Sequence, residues 1–318
     1  MTNTIQVLNT VLPVIIMLIV GMICRKTNMI SREGIGAPKN VVVNLALPAV
    51  LINAFATMTY SWKNVVVTLM MFLVCLAAWF LGRVLRKVFH MKSRFIPFLT
   101  TGFEAGMLGY ALFPLLYGAD KVSGFATVDL GQVLFVFTLY KVLLGLDAKE
   151  NGSPETHERV DIKILLKEMF TSPVVIAIII GVLFGATGLY QAMIPSGISS
   201  VMDACTSFVS APTGAIILLT IGYDLVLDKI PWKRVASVSV SRIVIMIIMR
   251  LAAGAVVRLI GLGDSLDTAL NVMMILPPPY VLPVFADDEN EREYVSASLS
   301  VLTLITIICF MVLAAFGI

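Results

Sequence analysis

Apolar residues in this chain gather into ten runs, at residues 8–24, 40–58, 64–85, 95–117, 124–145, 173–189, 197–223, 236–260, 266–286 and 295–316. Polar residues are confined to the intervals between them. A helix needs about 20 mainly apolar residues to cross the hydrocarbon core, so ten spans with short loops use nearly the whole length and leave no room for a soluble domain. The pattern predicts an all-α polytopic membrane protein. One polar stretch has any length, from Asp147 to Lys167, and it contains Asn151, Gly152, Ser153 and Pro154. It reads as a solvated linker. Residues 160–170 alternate charged and apolar positions, as either an amphipathic helix on the cytoplasmic surface or an extension leading into the sixth span would. The chain therefore divides into a first half, 1–150, a linker with an interfacial helix, 151–172, and a second half, 173–318.

The two halves repeat one another. Pro13 and Gly21 of the first run match Pro173 and Gly181 of the sixth, each glycine eight residues after its proline. A single proline interrupts the second run at Pro48 and the seventh at Pro212, and Tyr110 with Pro114 in the fourth matches Tyr280 with Pro283 in the ninth. Three such matches in order imply a duplicated unit. With five spans in each unit the copies must be inverted, related by a pseudo-two-fold axis in the membrane plane, which is an architecture of transporters and of some channels.

The ninth run cannot be a continuous helix. Pro277, Pro278 and Pro279 remove three successive backbone donors, and their rings clash with preceding carbonyls. Freed carbonyls at membrane depth survive only against protein or a watery cavity. The fourth run supplies the facing element, because Gly102, Gly106 and Gly109 let its backbone unwind and approach closely. Two crossed, broken spans each present a half-helix amino end, suited to an anion, and a carboxyl end, suited to a cation. Plain small-residue helix packing is the other reading of those glycines.

Ionisable residues at depth add chemistry to this picture. Glu104 falls near the middle of the fourth run, where a carboxylate is expensive and usually functional; it can carry a coupling proton, help hold Na⁺, or pair with Arg250. Arg250, midway along the eighth run, can clamp an anion or serve as that structural partner. Arg242, nearer the end of its run, is expected to snorkel. Asp129 and Gln132 in the fifth run can line a path to Glu104 or stabilise a helix start. Asn44, Pro48, Ser210, Pro212, Thr213 and Asn271 complete the candidate solute-binding set, with interhelical hydrogen bonding as the alternative role of the polar members.

Charge sets orientation. Apart from Lys63, Lys121 and Arg258, the Lys and Arg of the loops fall on one side, which the positive-inside rule makes cytoplasmic and which places both termini outside a cell inner membrane. The net charge of +3 is thus spent on topology and gives no reason to expect a nucleic-acid partner. The four cysteines share no metal-ligand or redox spacing, and His90 and His157 lie in loops, so neither a metal site nor a cofactor is expected. A phosphate-binding loop, a zinc-protease motif and a nucleophile elbow are all missing, which argues against an enzyme or an ATP-driven pump.

Taken together, Leu47-Pro48, Gly106-Met107-Leu108-Gly109, Leu115 to Gly118, Ala211-Pro212-Thr213 and the proline cluster of the ninth run resemble the auxin efflux carrier family. That family includes plant PIN proteins and bacterial malate and malonate permeases. The resemblance runs over almost the full length. It implies ten helices in inverted repeats, crossed helices 4 and 9, a homodimer in several members, and transport of organic anions. Where the family commonly has Asn-x-Gly-x-x-Gly-x-Pro, this chain has Glu104 and Ala111 in place of the Asn and the Pro. The expected function is secondary transport of a mono- or dicarboxylate, coupled to H⁺ or Na⁺. The alternative is a cation/proton antiporter of the same architecture.

Overall fold

The computed structural model describes residues 2–58, 60–150, 171–227, 230–286 and 288–316, and among them every regular element is helical. Most of the predicted linker, with its amphipathic segment, lies outside the described residues. Among the described residues, seven helices are long and apolar enough to cross a membrane: α1 (Val7–Lys26, with a first turn reaching back to Thr2), α2 (Arg32–Ala56), α3 (Trp62–Val88), α6 (Ala119–Asp147), α9 (Ile198–Asp224), α10 (Trp232–Leu259) and α12 (Glu289–Phe316). Between them lie the shorter α4 (Ile96–Leu99), α5 (Ala105–Tyr117), α7 (Pro173–Ala186), α8 (Leu189–Met193) and α11 (Gly263–Ile275).

Three of the ten apolar runs therefore form no full-length helix, and each has a local cause. The fourth is split into α4 and α5 by residues 100–104, and the ninth gives α11, a break at 276–281 and a short 3-10 turn, Leu282–Phe285. In the sixth, α7 ends at Ala186 where Gly188 turns left-handed with φ 71°. Proline has milder effects elsewhere. Pro48 follows a wide π turn, Val42–Ala46, inside α2, and Pro212 sits at a two-residue interruption between Ile198–Ser210 and Thr213–Asp224 of α9.

Two groups of helices result. In one, α1 packs along the second half of α9, and α7 along the second half of α2, which also meets the first half of α9. In the other, α3 packs on α6, α10 lies against α3, α11 and α12, and α11 reaches α6. Backbones approach very closely inside the first group. A Cβ on Gly21 would fall 2.2 Å from the Leu219 carbonyl oxygen, and one on Gly181 would fall 2.8 Å from that of Ile52. Leu8, Leu12, Leu69, Leu73, Ile247 and Leu251 point outward, as apolar residues facing lipid do.

Candidate functional site

The two breaks meet. Glu104 donates its backbone N–H to the Pro277 carbonyl at 2.8 Å, which ties one unwound segment directly to the other. Gly102 makes the approach geometrically allowed: its φ is +67°, and a Cβ there would lie 3.0 Å from Pro279 Cδ. Pro277, Pro278 and Pro279 are all buried. Depth follows from helix geometry. Arg242, beside the crossing, lies about 15 Å along α10 from Trp232, and α5 runs about 20 Å from the crossing to its far end, so the breaks sit near half-depth. The halves are unequal. The long pieces α5 and α11 extend to one side, where Gly124 approaches Ser265 and Leu266, while α4 and the Leu282–Phe285 turn lie on the other, where Arg94 donates to the Phe285 carbonyl at 2.8 Å. A strict two-fold would make α4 and α11 alike, and they differ in length, four residues against thirteen.

Glu104 holds one N–H on each broken segment at once. Its Oε1 accepts the Met107 N–H of α5 at 3.3 Å, and its Oε2 accepts the Tyr280 N–H of the ninth-run break at 2.7 Å. The helix ends that the sequence reserves for a solute anion are thus held by the protein's own carboxylate. The alternative role, a structural pair with Arg250, does not occur. Arg250 instead donates through Nη2 to Asp267 at 2.8 Å and through Nε to Asn271 at 2.7 Å, on the α10–α11 face, where Arg250 and Asn271 line a cavity of about 380 Å³ that also reaches Arg242, Leu276 and Pro277. The cause is register: Asp267 and Asn271 are one turn apart on α11 and bracket the guanidinium. Arg250 thus bonds to Asn271 and Asp267 rather than to Glu104, beside the ninth-run break.

Arg242 does the opposite of snorkelling. It is only 3% exposed, and its guanidinium gathers four carbonyls: Leu99 at 3.0 Å and Thr101 at 3.4 Å on Nη1, Gly102 and Leu276 both at 2.8 Å on Nη2. These are the carboxyl ends of α4 and α11. The sequence reading missed it because the helix begins at Trp232, four residues before its apolar run, so Arg242 sits one turn deeper than the run suggests. The usable signal was an arginine inside an apolar run in a chain with two broken spans. Thr306 adds a hydroxyl bond to the Ile275 carbonyl, and the Glu104 N–H already holds that of Pro277, so the carbonyls of residues 99, 101, 102, 275, 276 and 277 are satisfied.

Asp129 and Gln132 flank the same crossing. Both are buried in α6, where the Gln132 side chain donates to Asp129 at 3.0 Å and accepts the Phe103 N–H at 3.4 Å, while the Tyr110 hydroxyl donates to Asp129 at 3.1 Å. Neither is at a helix start. Gly109 lies where any Cβ would strike Phe125 and Leu276, so it seats α5 on its neighbours; a Cβ on Gly106 would find its nearest neighbour at 3.5 Å.

Besides the cavity beside Arg250, two more flank this region. One of about 400 Å³ is lined by Lys39, Met107, Asp224, Tyr280 and Thr303, and another of about 460 Å³ by Asn53, Tyr110, Asp120, Thr206, Ser210 and Thr213. They open at opposite ends of α2 and α9, both between the two helix groups. On α5 only the turn from Met107 to Tyr110 separates them. Thr213 is buried in the second cavity and its hydroxyl has no partner there among the described residues. Asn44 is exposed, and Asn44, Pro48 and Pro212 line neither cavity.

Membrane-spanning helices, two interrupted segments bonded to each other at half-depth and a cavity on either side define a helical membrane protein built to handle a solute. The chain belongs to the membrane transport protein family, the auxin efflux carrier family that its motifs resemble: the family model matches residues 6–318. Comparison with curated proteins returned no match. The protein is a membrane transporter.

Proposed function

We propose that this transporter is a secondary carrier of a small organic anion, with Glu104 as a built-in anion that the solute displaces once it is protonated. One observation carries the reading: the two carboxylate oxygens of Glu104 hold N–H groups of two different broken segments, in the wall between two cavities. A carboxylate accepts at both oxygens, whereas a carboxylic acid uses one oxygen as an O–H donor. A proton on Glu104 therefore releases either the Met107 or the Tyr280 N–H, and a solute carboxylate takes it. One proton enters with one negative charge. Lys39 in the first cavity and the Thr213 hydroxyl in the second offer further contacts to a mono- or dicarboxylate.

The access reading follows from the two groups of helices. Rocking α1, α2, α7 and α9 against the rest would open one cavity and close the other around a fixed crossing. Support for ten spans in inverted halves comes from exchanged partners: α1 of the first half lies on α9 of the second, and α7 of the second lies on α2 of the first. Their matched glycines, Gly21 and Gly181, make equivalent backbone contacts. On this reading the Arg32–Lys39 end is cytoplasmic and both termini are external in an inner membrane.

The test is uptake into proteoliposomes across an inward proton gradient, with the anion chosen by thermal stabilisation of the detergent-purified protein in a panel of carboxylates. Glu104→Gln keeps one acceptor but cannot exchange a proton, and should lose gradient-driven accumulation while retaining exchange of anion between the two sides. Accumulation equal to wild type would remove Glu104 from the coupling.

A further inference from the structure

In carriers built on broken helices, unwound carbonyls and half-helix carboxyl ends are the ligands that a coupling Na⁺ takes. Here that ligand set is already filled. Leu99, Thr101, Gly102 and Leu276 turn their carbonyl oxygens onto the one guanidinium of Arg242, at 2.8–3.4 Å and out of contact with solvent. The Phe103 ring lies on its face, 5.6 Å from centroid to Cζ. Guanidinium does not give up its proton in proteins, so the charge there is permanent. At the opposite ends of the breaks, Glu104 is bonded by two N–H donors, one on each oxygen, whose partial positive charges disfavour a second cation.

We propose that Arg242 is a tethered counter-cation, a positioning residue that neutralises the carboxyl ends of both broken spans in the place of a coupling Na⁺. The cycle then needs no sodium, and the proton on Glu104 is its exchangeable cation; this last step rests on the carrier reading. Around Glu104, Lys39 of α2 lines the same cavity as Met107 and Tyr280, and Asp129 of α6 accepts from the Tyr110 hydroxyl one turn along α5. Because Arg242 reaches from α10 to both breaks, it also locks the crossing to the group of helices that contains α10. Motion is thereby directed to the boundary between the groups, where the cavities lie.

Thermal unfolding of the full chain in detergent tests the charge itself, in Na⁺, choline or methylguanidinium at equal ionic strength. Wild type should unfold at the same temperature in Na⁺ and choline. Arg242→Ala should unfold about 10 °C lower, as loss of a buried charge from its partners implies. Methylguanidinium, and to a smaller extent Na⁺, should recover part of that loss, saturably, while choline should not. Stabilisation of wild type by Na⁺ over choline would overturn the proposal, as would an Arg242→Ala protein indifferent to both cations.

Should Arg242→Ala yield no folded protein, Arg242→Lys keeps the charge with fewer donors. It should unfold between the two and ignore Na⁺; a sodium response in that variant would equally overturn the idea. None of these measurements involves an anion or a gradient. Sodium-driven uptake by wild-type vesicles would keep the carrier and discard the tethered cation, whereas a sodium-indifferent protein that moves no anion would do the reverse.

Discussion

Gly102 and Gly106 are four residues apart in one glycine-rich segment, yet they meet different demands. At Gly102 the backbone is left-handed and a Cβ would press on Pro279, so Ala there should cost about 1–2 kcal/mol for the backbone alone, before the proline ring has to move. At Gly106 φ is negative and a Cβ has room, so Ala should be neutral or stabilise by about 0.5 kcal/mol through the unfolded chain. Denaturation of Gly102→Ala and Gly106→Ala in detergent would separate the two, and equal effects would contradict the crossing geometry. The acid and glycines of the fourth run and the prolines of the ninth were legible as a break because each residue's own backbone chemistry forces it. Arg242 was not, because its role comes from side-chain reach across three elements, and nothing local to α10 announces where the carbonyls of 99, 101, 102 and 276 will be. Arg250 was misplaced for the same reason, since its partners Asp267 and Asn271 become visible only once α10 and α11 are adjacent.

Helices that meet through glycine leave no slack for a side chain. Gly21 rests on the backbone of α9 and Gly181 on that of α2, so Gly21→Val and Gly181→Val should each wedge a helix pair apart at about 1–3 kcal/mol, read from unfolding in graded denaturing detergent. Comparable losses would mark the two as equivalent members of a duplicated unit, and a loss at only one would weaken the inverted-repeat reading. The shared spacing of proline and glycine was plain in the sequence. The partner was not, because in lipid every apolar face is equally comfortable and only close packing selects among them. The α10–α11 pair makes a second case. Its Arg250–Asp267 bridge is partly buried and lines neither the cavity of Lys39 nor that of Thr213, so Arg250→Gln should destabilise by about 1–3 kcal/mol while leaving the KM for the transported anion unchanged. A raised KM would return Arg250 to the binding site.

For the molecule as a whole, the decisive property is that its two cavities lie at opposite ends of α2 and α9 and share a wall only one turn of α5 thick. A channel would need both open together, whereas a carrier must never open both. Hydropathy found the seven long apolar helices and loop basicity supplies an expected orientation, since burial and charge act residue by residue; the cavities arise from how groups of helices lean together, which has no period along the chain. Thiol labelling distinguishes the two behaviours. Cys24 and Cys75 are buried, and Cys205 and Cys309 can be replaced by serine to give a quiet background. In that background Ser296→Cys, in the cavity with Lys39, should react with an impermeant reagent from the cytoplasmic face, and Ser207→Cys, in the cavity with Thr213, from the external face. Adding the transported anion at acidic pH should change the two rates in opposite directions, because one motion closes a cavity as it opens the other. If both rates rose together the crossing would be a pore, and if both thiols reacted from one face the two cavities would belong to a single vestibule.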